Sequence, residues 1–348
     1  MEKKLAAAQN TFLTEDVKTI EGRINLKSIQ AARERSSKYY FRTPLYYSKT
    51  LSIASSTNSY LKLECYQPIR VFKIRGALNK ILQIAESSDD GLSKSIVTFS
   101  AGNHGLAVAY VSDMVGIKAT IVVPTTANEA KVRAISEYKN VKLIKAGTTV
   151  HELATYANEI VQKEGAILVH PFGDPDVISG QGTIGLEISE DLPDADLVLV
   201  PIGGGGLISG VAKAVKERMA GRGTKVIGIC SQGAPAAYRS FKEKRIVSEA
   251  PKTIADGMSA STTEPLNLAL MLDLVDDMVL VSDQEIKEAM RFMINDLHIM
   301  VEPAGAAPVA AILNKKIPAI NSPHQKIVSV VSGANANPLL LSEILSTP

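Results

Sequence analysis

A chain of 348 residues, 45% hydrophobic and 21% charged, has the length for two modest domains or one large one and the balance of a well-buried soluble core. A formal net charge of +2 without a basic stripe makes no case for a nucleic-acid partner, and no apolar run reaches the roughly 18 residues of a membrane helix. Two cysteines, Cys65 and Cys230, argue for a reduced compartment rather than a disulfide scaffold, and no histidine pairs with a Cys or another His at metal-ligand spacing.

Residues 1–40 read as a loose arm followed by one helix around Ile24–Arg35. Glu15 and Asp16 interrupt the start before any apolar signal-peptide core, so the cytoplasm is the expected location. Arg42-Thr-Pro-Leu45 breaks the helix, because Pro44 disfavours helical backbone in the residue before it. Strands and helices then alternate. Short β-branched runs at 95–99, 119–123, 141–144, 197–200, 225–229 and 326–331 show little polar alternation, as strands buried on both faces do. Helix-length stretches lie between or after them at 103–115, 128–138, 149–164, 177–190, 206–219 and 283–297. The last begins with a capping box, Ser282 with Glu285. The pattern predicts an α/β fold of two doubly wound parallel-sheet domains. The expected division is residues 1–85 with 173–348 for a large domain and 86–172 for a small one. Ligands in such folds collect at the carboxyl ends of strands, in the turns that enter helices.

Four such places stand out. Gly203, Gly204, Gly205 and Gly206 join the strand LVLV to a helix, so backbone N–H groups and a helix N-terminus can converge on a phosphate. No Lys-Ser/Thr pair follows, which excludes a P-loop, and the spacing with Gly210 is only a loose dinucleotide fingerprint. Ser100-Ala-Gly-Asn-His104 follows the strand at 95–99 and suits a carboxylate, with Asn103 adding an amide. Lys73 opens a helix, where a lysine does nothing for the helix dipole; by itself it reads as an ordinary surface lysine. Ser332 ends the last long strand, where its hydroxyl can meet a ligand nitrogen.

Together these segments resemble one family. Phe72-Lys-Ile-Arg-Gly-Ala77, Ser100-Ala-Gly-Asn-His-Gly105, His170-Pro-Phe172, Ser179-Gly-Gln-Gly-Thr183, Pro201-Ile-Gly-Gly-Gly-Gly206, Ala255-Asp-Gly257, Glu302-Pro303 and Val331-Ser-Gly333 resemble, in order and spacing, the fold-type II pyridoxal-phosphate enzymes of the threonine dehydratase and serine racemase branch. The resemblance spans roughly residues 40–335. It implies a cleft between the two domains that holds pyridoxal 5′-phosphate as an imine of Lys73. It further implies that Gly203–Gly206 and Leu207 take the phosphate region, Asn103 the ring oxygen and Ser332 the ring nitrogen. Phe72 and Glu302 would be further cofactor contacts. Ser100, Ala101, Gly102, Asn103 and His104 would hold the substrate carboxylate. Lys73, released by an incoming amino acid, would take its Cα proton. A neutral Ser332 makes the ring a weaker electron sink than an aspartate would, which suits rapid loss of a β-hydroxyl. L-threonine would give 2-oxobutyrate and L-serine pyruvate, each with ammonia.

The chain departs from the branch pattern in three places. Arg70-Val71 stands where relatives usually read Gly-Ser, which removes a hydroxyl expected near the phosphate. Ala101 stands where racemases carry the Ser that serves the face opposite the lysine. Cys230, Ala234 and Ala236 replace the acids of the racemases' divalent-metal site, so no metal is expected. These differences favour a dehydratase. Serine racemase or hydroxyaspartate dehydratase is the nearest alternative, and a non-catalytic ligand-binding protein or a nicotinamide-dependent oxidoreductase the more distant one. The chain ends shortly after the Ser332 motif, so a catalytic unit without an effector domain is expected. The family is usually dimeric or tetrameric, and the implied partners are the small amino-acid substrate and further copies of the chain.

Overall fold

The structure, a computed structural model, describes residues 15–87 and 91–346. The arm expected at the start lies, over 1–14, outside the described residues. Its continuation is not one helix but two, Glu15–Glu21 and Leu26–Ser36. The break is set by Asn25, whose side chain accepts from the Ser28 N–H while Ser28 answers to the Asn25 N–H, a capping box that starts the second helix afresh.

Ten strands appear among the described residues: β1 Leu45–Tyr47, β2 Asn58–Leu63, β3 Ser95–Phe99, β4 Lys118–Val123, β5 Val141–Lys145, β6 Ile167–Leu168, β7 Leu197–Pro201, β8 Lys225–Ser231, β9 Asp277–Val281 and β10 Lys326–Val331. They form two sheets. One has the order β1-β2-β10-β7-β8-β9 and is parallel except for the edge pair β1–β2; the other, β5-β4-β3-β6, is wholly parallel. The six expected strands are present, and β1, β2, β6 and β9 are additions.

Burial explains the apolar runs. Leu197, Leu199, Ile227, Ile229, Ile327 and Val331 face one core, while Val198, Val200, Val226, Cys230, Val328 and Val330 face another. Successive residues of a strand point to opposite faces, so each strand must be apolar throughout when helices cover both. The smaller sheet repeats the arrangement, with Ile96, Ala119 and Ile121 on one side and Val97, Phe99 and Val122 on the other. The fold is two parallel-sheet α/β domains.

The helix Lys73–Glu86 positions the site. It crosses the helix Pro175–Asp191 where Gly180 meets Gly76: a Cβ on Gly180 would lie 2.6 Å from the Arg75 carbonyl oxygen and 2.7 Å from Gly76 Cα. At that crossing lies a buried group of charges. Arg75 forms paired bonds to Glu64 (Nε–Oε2 and Nη2–Oε1, both 2.7 Å) and to Glu187 (Nη1–Oε1 2.7 Å, Nη2–Oε2 2.9 Å), and its guanidinium carbon lies 4.3 Å from the Tyr40 ring centre. Lys62 adds a contact to Glu187 at 2.6 Å and donates to the Thr43 carbonyl at 2.7 Å. Two cations meet two carboxylates with their donors and acceptors engaged, so the group is neutral and closed.

Candidate active site

Lys73 is the first residue of its helix, two positions from Arg75, and faces the other way. Its Nζ donates to the Pro171 carbonyl at 2.7 Å and lies 5.3 Å from the Phe72 ring centre. Burial pushes its pKa down to about 8, against the pull of the Glu302 carboxylate. The segment ahead of it is laced to the turn after β10: Phe72 N–H donates to Ser332 O at 3.0 Å, Val71 bridges Gly333, and Ala334 N–H donates to Arg70 O at 2.8 Å. Arg70 sits at φ +60, in the left-handed region that favours glycine. Val71 is fully buried beside Gly333.

Asn103 begins the helix Asn103–Val115 at the end of β3, and its Nδ2 donates to both oxygens of Glu302 at 3.0 Å. Glu302 is buried, and burial raises its pKa although bonds from Asn103 and from the Asn335 backbone pull it down. That helix has no side-chain cap, so N–H groups at its start stay open to a carboxylate. Ser100 Oγ accepts from Gly102 N–H at 3.2 Å and shapes the loop. Ala101 and Gly102 line the cleft beside it.

His104 is buried, with Nε2 3.1 Å from the Val169 carbonyl. A carbonyl only accepts, so Nε2 carries the hydrogen and Nδ1 is a bare acceptor; it has no partner among the described residues. Burial, then the charge of Lys73, push its pKa down to about 3, so the ring is neutral. His170 is fixed in the same sense: Nδ1 accepts from Gly173 N–H at 2.7 Å, and burial pushes its pKa down to about 4.

The glycine turn after β7 is shaped by close approach. A Cβ on Gly204 would lie 2.5 Å from the Phe172 ring, and Gly205, at φ +98, leads into the helix Gly206–Arg218 without a side-chain cap. Thr263 Oγ1 and Asn267 Nδ2 both donate to the Gly204 carbonyl, at 2.9 and 2.7 Å, which fixes the turn. Ser332, at the end of β10, is 1% exposed, and its Oγ has no hydrogen-bond partner among the described residues. An orphan hydroxyl of this kind costs about 1–3 kcal/mol unless a ligand or water satisfies it.

These elements surround a cleft of about 480 Å³ between the sheets. Lys73, Ser100, Ala101, Gly102, Asn103, His104, Gly203, Gly204 and Glu302 line it, whereas Phe72, Gly205, Gly206, Leu207 and Ser332 are not among the lining residues. The Leu207 side chain packs in the core, which leaves only its backbone to face a ligand. Three groups were given no role from the sequence, although Pro171 and Asp256 fall inside the motifs quoted above. Pro171 receives the Lys73 bond; Asn335 donates to Asn103; and Lys131 pairs with Asp256 across the cleft, the two lying on opposite sides. For Lys131 the local signal was Asn128, the N-cap that starts its helix.

A family model described as pyridoxal-phosphate dependent enzyme matches residues 36–333. The L-threonine ammonia-lyase of Thermotoga maritima is 40% identical over 326 residues, which cover 93% of this chain and 78% of that protein. The serine racemase of Oryza sativa subsp. indica is 36% identical over 324 residues, which cover 92% of this chain and 94% of that protein. The solved structure of maize serine racemase superposes with a TM-score of 0.84 at 34% identity, covering 92% of this chain and 96% of the other. The chain therefore belongs to the pyridoxal-phosphate dependent enzyme family, and its cofactor is pyridoxal 5′-phosphate.

Proposed function

We propose that the chain is an ammonia-lyase that removes the β-hydroxyl and the amino group of L-threonine, and of L-serine, to give 2-oxobutyrate or pyruvate and ammonia. The observation that carries this reading is the distribution of titratable groups in the cleft. Lys73, with its pKa pushed down to about 8, is the lining group best matched to proton transfer near neutral pH. His104 is held neutral, Glu302 is held by Asn103, and Lys131 and Asp256 hold each other. Position 101 offers only a methyl group. One base suffices for elimination, whereas racemisation needs a second group on the other face of Cα.

The residues fit the cofactor. The orphan Ser332 hydroxyl is a partner for a ring nitrogen, the Gly203–Gly206 turn and the Leu207 N–H for a phosphate, and the Asn103 amide for a ring oxygen, with Phe72 and Glu302 beside them. When bound, the cofactor withdraws electron density from the carbon that bears the substrate amino group. Lys73 Nζ, its pKa pushed down to about 8 by burial, takes the proton from that carbon. Ser100, Ala101, Gly102, Asn103 and His104 orient the substrate through its carboxylate, with His104 Nε2 anchoring the loop to Val169. The domain limits we adopt, 1–85 with 173–348 and 86–172, put β3–β6 in the smaller unit and the other strands in the larger.

A second reading, serine racemase, is favoured by coverage: the rice racemase matches over 94% of its own length, against 78% for the Thermotoga lyase. Chiral chromatography of the products from L-serine, with 2-oxo acid assayed in parallel, separates the two. Ammonia with pyruvate and little D-serine is the expected result. Substantial D-serine from the unaltered enzyme would overturn the lyase reading.

A further inference from the structure

Asn335 follows the Ser332 turn and makes two bonds through one atom. Its Nδ2 donates to the Ile69 carbonyl at 3.1 Å and to Asn103 Oδ1 at 2.9 Å. The Ile69 carbonyl can only accept, so the Asn335 NH2 group must lie on that side. The oxygen of Asn103 must then face Asn335, and its NH2 must face Glu302, where it meets both carboxylate oxygens at 3.0 Å. A turned Asn103 amide would set its oxygen against the carboxylate and its NH2 against that of Asn335, losing all three bonds. The contact also joins the two halves of the cleft: Asn103 starts the helix after β3 of the smaller sheet, and Asn335 follows β10 of the larger, 232 residues away.

We propose that Asn335 is a positioning residue that sets the polarity of the Asn103 amide, so that a donor and not an acceptor is presented beside Glu302 in the cleft. The proposal rests on the reading that Asn103 donates to the ring oxygen of the cofactor. Asn335→Asp keeps the shape but puts an acceptor oxygen against both Ile69 O and Asn103 Oδ1. The Asn103 amide then either keeps its NH2 on Glu302 with its oxygen against an acceptor, or turns and sets that oxygen against Glu302, and either way its donation to the cofactor is weakened.

The test uses full-length holoenzymes of the native protein, Asn335→Asp, Asn335→Ala, Asn103→Ala and the Asn103→Ala/Asn335→Ala double variant. Two quantities are read: the rate of pyridoxal phosphate loss during dialysis, and the pH at which the absorbance of the bound cofactor changes. Asn335→Asp should lose cofactor on the order of tenfold faster, the scale of one misdirected buried hydrogen bond, with a displaced absorbance midpoint. Asn335→Ala should move both in the same direction by less, and it carries the test alone if the Asp variant does not fold. In the Asn103→Ala background, Asn335→Ala should add nothing, since its action passes through Asn103. Independent, multiplying effects in the double variant, or an unmoved midpoint in both Asn335 variants, would overturn the proposal. Native-like retention by Asn103→Ala would instead remove the reading of Asn103 as a cofactor contact, and the proposal with it.

Discussion

Two cations two residues apart on one helix, Lys73 and Arg75, have opposite fates. Arg75 faces the helix Pro175–Asp191 and meets Glu64 and Glu187 with paired bonds; burial alone would lower its pKa, and the two carboxylates raise it instead. Lys73 faces the cleft, donates to one neutral carbonyl, and has its pKa pushed down to about 8. The Arg75 group leaves no capacity for a ligand. The cleft leaves an amine, a bare His104 Nδ1 and the uncapped helix start at Asn103; Ser332, whose hydroxyl has no partner among the described residues, is not one of its lining residues. Burial is common to both regions; the charge of Arg75 is met by two carboxylates in direct contact, and that of Lys73 only by a neutral carbonyl.

The sharpest way to break this comparison is to remove each cation. Lys73→Ala should lower elimination at least about a thousandfold and abolish the absorbance of lysine-linked cofactor, while the denaturant midpoint of the chain barely moves. Retained turnover would sink the assignment of Lys73. Arg75→Ala should do the reverse at the level of folding. It strands Glu64 and Glu187 in the interior, a loss of about 3–5 kcal/mol by urea unfolding. A loss below about 1 kcal/mol would mean that the group is not closed as described.

Acid sharpens the contrast more gently. His104 and His170 have folded pKa values of about 3 and about 4, below the ordinary value of 6.5. The unfolded chain therefore takes up protons first, and stability present above pH 6.5 falls as the pH drops toward 4, by roughly 1.4 kcal/mol per unit for each ring. His104→Gln should flatten the slope of melting temperature against pH; an unchanged slope would mean that His104 is charged in the folded state. The smallest expected effect lies just ahead of Lys73. Arg70→Gly relieves a left-handed backbone and should stabilise the chain by about 1 kcal/mol or less. Destabilisation in thermal melts would show that the Arg70 side chain holds something the backbone argument omits.

Much of this architecture was legible in the sequence for a physical reason. Strands covered on both faces must be largely apolar, and β3, β4, β7, β8 and β10 are nearly so, whereas β5, at a sheet edge, exposes Lys142 and Lys145. What escaped obeys other rules. β1 is a short edge strand with Tyr46 and Tyr47 exposed. β2 carries Lys62, which lies fully buried in a strand only because Glu187, far along the chain, sits 2.6 Å away. The helix Pro303–Leu313 contains Pro308, which reads as a breaker. In the site, the turns at strand ends were legible because glycines and small residues mark them. The bonds from Asn103 to Glu302 and Asn335 were not, since no local pattern reports a contact across two hundred residues.

That the orphan Ser332 hydroxyl serves the ligand is tested most directly by removing it. Ser332→Ala removes a hydroxyl that has no partner among the described residues, so two measurements on one variant should part company. The cofactor-free chain should melt at the same temperature as the native chain, or slightly higher. Pyridoxal phosphate should bind more weakly by roughly 5- to 100-fold, the scale of one lost buried hydrogen bond. A cofactor-free chain that is clearly destabilised, with cofactor affinity unchanged, would contradict the account: the hydroxyl would then be serving the fold and not the ligand.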